Sequence, residues 1–83
     1  MTEPDEMLEI YQFEACPYCK KVREKLNDLQ IDFIARQVKP GSDRSRVEEI
    51  SGQTGVPVLV DPNKDTVMPE SDDIVDHLEK HYG

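Results

Sequence analysis

Large apolar side chains stand at positions 8, 10, 11 and 13 of Leu8-Glu9-Ile10-Tyr11-Gln12-Phe13, and the Ile and Tyr content predicts a first strand there. From Pro17 the period changes. Cys19, Val22, Leu26 and Leu29 recur at spacings of three and four, with Lys20, Lys21, Arg23, Glu24, Lys25 and Asp28 on the other faces, which predicts an amphipathic helix. Ile31 to Val38 reads as a second strand, closed by Pro40-Gly41. Ser42 or Ser45 is placed to cap a short second helix, and Ser45 with Glu48 has the spacing of a capping box. Val47 and Ile50 form that helix's apolar side, and Gly52 is its expected stop. Val56 to Val60 is a buried type of strand bounded by Gly55 and Asp61-Pro62-Asn63, and a hairpin returns through Thr66-Val67-Met68. Ser71 opens a last helix with Asp72 and Asp73 in its first turn. Its inward residues are Ile74, Val75, Leu78 and Tyr82, and Lys80 and His81 sit at its negative end.

The element order is therefore βαβαββα. Helical connections between the first three strands favour right-handed crossovers and a partly parallel sheet, while the closing hairpin must be antiparallel. The expected fold is α/β, with a four-stranded mixed sheet and three helices. At 83 residues there is room for one domain, expected over 8–83, behind an acidic flexible tail over 1–7.

Charge narrows the partners. Asp and Glu number 18 against 10 Lys and Arg, for a net charge of −8. Such a surface repels nucleic acid and anionic membranes. It also repels itself, and salt screens that repulsion, which is the pattern of a protein working at high salt. The start, Met1-Thr2-Glu3-Pro4-Asp5-Glu6, carries neither the basic nor the apolar region of a secretion signal, so a cytoplasmic monomer is expected.

Two cysteines, Cys16 and Cys19, cannot form a multi-bridge framework, and their spacing points to redox chemistry or to half a metal site. At the strand-to-helix junction Pro17 suits the first helical position and Cys16 the N-cap. The unpaired N–H groups of Tyr18 and Cys19 and the helix dipole then favour a thiolate on Cys16, with Lys20 and Lys21 helping and Glu14 opposing. Cys19, on the buried stripe, is expected to keep a more ordinary thiol than Cys16. The zinc alternative pairs these cysteines with His77 and His81, four apart on the last helix. However, 57 residues separate Cys19 from His77, where the finger pattern takes about 12–15. No metal is expected, and the histidines read as a solvated helix end.

Cys16-Pro17-Tyr18-Cys19 after a short strand, Gly55-Val56-Pro57 opening a later one, and Glu70-Ser71-Asp72-Asp73 opening the last helix together resemble a dithiol glutaredoxin over about residues 8–82. The resemblance implies a thioredoxin-like fold with Pro57 in cis. It also implies a cleft in which Tyr18 flanks a bound thiol, Val56 pairs with its backbone, and Ser71 and Asp72 receive its γ-glutamyl end. Glu70-Ser71 is similar to the glutathione-binding pair of glutathione transferase N-terminal domains. Three features depart from the glutaredoxin pattern: Gly55 where a Thr is usual, Pro69-Glu70 where many members have two glycines, and Phe13 where a lysine commonly stands. Phe13 offers no cation to glutathione's glycine carboxylate, although Gln53 or Arg46 has the length to reach it.

The implied activity is thiol–disulfide exchange on oxidised or thiolated proteins. No cofactor is bound, and a low-molecular-weight thiol, glutathione or γ-glutamylcysteine, serves as cosubstrate. Two alternatives stand beside it: an iron–sulfur cluster scaffold with Cys16 as ligand, and a thioredoxin-like reductant fed by a flavoprotein.

Overall fold

A computed structural model describes residues 4–83, so the expected tail at 1–7 lies partly outside the described residues. The elements follow the anticipated order: β1 (Leu8–Gln12), α1 (Pro17–Asp28), β2 (Phe33–Gln37), α2 (Ser45–Ser51), β3 (Val58–Asp61), β4 (Thr66–Pro69) and α3 (Ser71–Tyr82). The sheet order is β2-β1-β3-β4. β1 and β2 are parallel, whereas β3 runs antiparallel to both β1 and β4.

Strand alternation sorts the core onto two faces. Leu8 and Ile10 of β1 and Leu59 of β3 pack with Val22 and Leu26 of α1 and Ile74, Leu78 and Tyr82 of α3. The intervening residues, Tyr11 and Val58, point the other way and meet Val38, just beyond β2, and Val47 of α2. Each large aliphatic side chain so buried contributes about 1.5–3 kcal/mol. The same alternation carries two polar residues into the α1/α3 face, Gln12 at the end of β1 and Asp61 at the end of β3, both fully buried.

Several local expectations change. Ser45 is the first helical residue of α2 rather than its cap, so no capping box forms. Asp43 Oδ1 instead accepts the Ser45 N–H at 2.9 Å. Ile50 is exposed, because this seven-residue helix turns only Val47 fully into the core. Val75 is half-buried. Gly52 does stop α2, with a left-handed φ of 79° and its N–H on the Glu48 carbonyl at 2.8 Å.

The largest correction concerns His77, which is buried rather than solvated. Its Nε2 lies 2.8 Å from Asp61 Oδ2, and the Tyr82 hydroxyl donates to the same oxygen at 2.7 Å. Asn63 donates to Asp61 Oδ1 through its backbone N–H and its Nδ2, each at 3.0 Å. Burial alone pushes the Asp61 carboxyl up, but the hydrogen bonds from His77, Tyr82 and Asn63 together hold it below its ordinary range. Burial and the Asp61 contact push the Tyr82 phenol up. The His81 ring lies against His77, tilted by 54° with the centroids 4.5 Å apart. Asn63 also ties the chain's start: Glu6 N–H donates to its Oδ1 at 2.7 Å, and its Nδ2 donates to the Glu6 carbonyl at 3.0 Å.

Candidate active site

β1 ends at Gln12, and the chain turns through Phe13–Cys16, closed by a Cys16 N–H to Phe13 carbonyl bond of 3.2 Å. Cys16 is the N-cap of α1 in extended conformation (φ −73°, ψ 119°), with Pro17 at the first helical position. Proline loses nothing there, because the first N–H groups of a helix have no internal partner. Of the two N–H groups expected to face the sulfur, that of Cys19 does so, at 3.4 Å from Cys16 Sγ.

Cys19 is fully buried one turn on. Its thiol is pushed up to about 12, chiefly by burial and then by its hydrogen bond to Cys16; the Phe13 backbone and the Arg23 charge act in the opposite direction. The two sulfurs are therefore unequal: Cys16 receives a backbone donor, whereas Cys19 holds its proton. Lys20 and Lys21 are directed elsewhere, Lys20 to Glu24 at 3.9 Å and Lys21 to the Asp72 carboxylate.

Beside the pair lies a cleft of about 340 Å³. Tyr18, Val56, Pro57, Glu70, Ser71 and Asp72 all line it, with Gln53, Gly55 and Pro69 completing the wall. Cys16 and Cys19 bracket Tyr18 in the sequence and are not themselves in the lining. The Val56–Pro57 peptide bond is cis. Glu70 has φ 73° and ψ 111°, a conformation that strains a residue carrying a Cβ. It provides no side-chain cap, so the first N–H groups of α3 have no side-chain acceptor next to the cleft.

The far side of the turn holds a residue that the sequence pattern passed over. The Arg44 guanidinium stands 5.9 Å from the centroid of the Phe13 ring, and its Nη1 donates to the Thr54 carbonyl at 3.0 Å. A cation thus sits beside the position where the lysine is missing. Arg46 lies instead over the Tyr11 ring at 5.0 Å. Gln53 is folded onto its own loop, bonding Ser51 Oγ and both backbone groups of Gly55. Arg44 precedes α2 and meets Phe13 only through the tertiary fold, so no local signal marks it.

The family described as glutathione S-transferase, N-terminal domain, matches residues 10–83. The chain belongs to this family. A relative from Clostridium pasteurianum, an uncharacterized glutaredoxin-like 8.6 kDa protein in the rubredoxin operon, is 39% identical over 54 residues, 64% of this chain and 72% of the relative. Glutaredoxin 2 from Salmonella typhimurium, solved in complex with glutathione, superposes with a TM-score of 0.81 at 25% identity over 90% of this chain. A glutathione S-transferase from the Antarctic clam Laternula elliptica gives 0.80 at 26% identity over 93%. The chain spans 34% and 36% of those two structures, about a third of each. This member of the transferase N-terminal family is thus a glutaredoxin-like protein with the thioredoxin-like fold. Among the described residues, no helix is long and apolar enough to cross a membrane.

Proposed function

We propose that the chain is a glutaredoxin-like thiol–disulfide oxidoreductase of the Cys-Pro-Tyr-Cys type. One observation carries the reading: at the start of α1 the backbone N–H of Cys19 points at Cys16 Sγ at 3.4 Å, while the Cys19 thiol is pushed up to about 12. Cys16, as thiolate, attacks a disulfide and forms a mixed disulfide, expelling one thiolate. Cys19 then gives up its proton and attacks Cys16 Sγ. The Cys16–Cys19 bond forms and the second thiol departs. Two electrons pass from the cysteine pair to the substrate.

In this reading the cleft holds a small thiol. The free N–H groups at the start of α3 and the Ser71 hydroxyl suit an α-carboxylate, and Asp72 suits an ammonium that displaces Lys21 from it. Val56 offers its backbone and Tyr18 its ring to the cysteinyl part. The cosubstrate is a γ-glutamylcysteinyl thiol, glutathione or γ-glutamylcysteine, and the substrates are oxidised or thiolated proteins. Residues 8–83 act as the single domain.

Two variants test the reading. Cys16→Ser should lose all disulfide reduction. Cys19→Ser should still turn over a small mixed disulfide, which an external thiol can resolve, and fail on an intramolecular protein disulfide. Faster modification of Cys19 than of Cys16 by iodoacetamide at mildly acid pH would refute the roles.

A further inference from the structure

Gln12 poses a question that neither the cysteines nor the cleft answers: why a fully buried strand end beneath the redox turn is an amide rather than a hydrocarbon. Both polar atoms of its carboxamide have partners. Nε2 donates to Gln37 Oε1 at 2.9 Å and reaches Glu14 Oε1 at 3.4 Å, while Oε1 accepts from Arg23 Nη1. The other arm of the Arg23 guanidinium, Nη2, donates to the Glu14 carbonyl at 3.1 Å and lies 4.0 Å from Glu14 Oε2. A single planar fork therefore joins the end of β1 to the turn that delivers Cys16.

Arg23 projects from α1 one turn beyond Cys19, on the same side of the helix. The groups bearing on the Cys19 thiol are Cys16 and the Phe13 backbone from the turn and Arg23 from its own helix. From α3, Asp72 and Glu79 face α1 but are paired with Lys21 and Lys25. Once Cys16 is locked in a mixed disulfide, its sulfur no longer carries charge. Arg23 then remains as the charged side chain that favours ionisation of Cys19.

Taking the exchange reaction proposed above as given, we infer that Arg23, seated on Gln12 and the Glu14 carbonyl, is the positioning residue of the resolving step. Its fork fixes the turn so that Cys16 Sγ stays in reach of Cys19, and its charge eases loss of the Cys19 proton to solvent. Cys19 Sγ then attacks Cys16 Sγ. The mixed-disulfide bond breaks, the departing sulfur keeps the electron pair, and the new disulfide closes.

Dithiobis(nitrobenzoate) mixed rapidly with reduced protein separates the two steps, because each releases one coloured thiolate: the first on attack by Cys16, the second on closure by Cys19. In Arg23→Gln the second release slows about tenfold relative to the first, and its pH dependence moves upward by about one unit, since one unit of thiol pKa is a tenfold change in thiolate below that pKa. Arg23→Lys keeps the charge and loses the fork, so it restores the pH dependence and recovers only part of the rate. Equal slowing of both releases, or an unmoved pH dependence in Arg23→Gln, overturns the assignment. Should Arg23→Gln fail to fold, Arg23→Lys decides alone: a second release as fast as in the native protein overturns it. Failure of the exchange reading itself looks different, since the native protein would then give no second release, or Cys16→Ser would give the first release as fast as the native protein does.

Discussion

Asp61 is the test of how far a buried polar cluster holds this small fold together. Replacing it with alanine removes an acceptor that serves His77, Tyr82 and Asn63 at 2.7–3.0 Å. Asn63 can turn to water, being only half-buried, but His77 and the Tyr82 hydroxyl are enclosed. Two stranded donors at about 1–3 kcal/mol each give a loss of roughly 2–6 kcal/mol. At about 0.05–0.15 kcal/mol per residue a domain of this size holds roughly 4–12 kcal/mol in all, so Asp61→Ala should consume about half of it. Asp61→Asn is different. Its amide oxygen can serve Asn63, and its NH₂ can donate to the Tyr82 hydroxyl and to His77, both of which can switch to accepting. What is lost is charge assistance, about 1–2 kcal/mol.

Urea unfolding of the three proteins measures these losses, and the pH dependence has a defined sign. The Asp61 carboxyl is held below its unfolded value, so its contribution is complete above that value, about 3.9, and is lost as pH falls through the lower folded one. The gap between the native protein and Asp61→Asn should therefore be constant above about pH 5 and close in acid. Asp61 lies four residues beyond Pro57, about 13 Å along an extended strand, so alkylation of Cys16 should proceed normally in folded variants. Asp61→Ala within about 1 kcal/mol of the native protein would refute the reasoning.

Glu70→Gly should relieve the strain of a non-glycine residue at φ 73° and raise stability by about 1 kcal/mol in urea unfolding, while the KM for a small mixed disulfide rises as the cleft wall loosens. A less stable Glu70→Gly protein would contradict the strain argument. Arg44→Ala should raise the KM for a glutathione mixed disulfide about tenfold, the loss of one charge-assisted contact, and leave that for γ-glutamylcysteine within about twofold. Equal effects on both would mean that Arg44 does not meet the glycine carboxylate.

What the sequence showed depended on the range of the interaction. Cys16, Pro17 and Cys19 act on one another within a single helical turn, so the N-cap geometry was legible from their order alone. β1 was legible from its apolar positions, whereas β3 begins at Val58, two residues after the expected Val56 and just past the cis Val56–Pro57 bond, and it runs on to Asp61. Alternation does not stop at the last apolar residue, however. The period that buries Leu8 and Ile10 also buries Gln12, and the period that buries Leu59 also buries Asp61. Hydropathy assigns both to solvent because their partners lie far along the chain, Arg23 eleven residues from Gln12 and His77 sixteen from Asp61. His77 was the readable exception: at three residues beyond Ile74 and four before His81 it falls on the inward stripe of α3, and its polarity alone argued for solvent. β1 and β3 are antiparallel, so Gln12 and Asp61 close opposite ends of one core face. Each end is thus tied to a packed helix, Gln12 to Arg23 of α1 and Asp61 to His77 and Tyr82 of α3. At the Asp61 end the lost partner threatens the fold, whereas at the Gln12 end the same loss reaches the turn that carries Cys16.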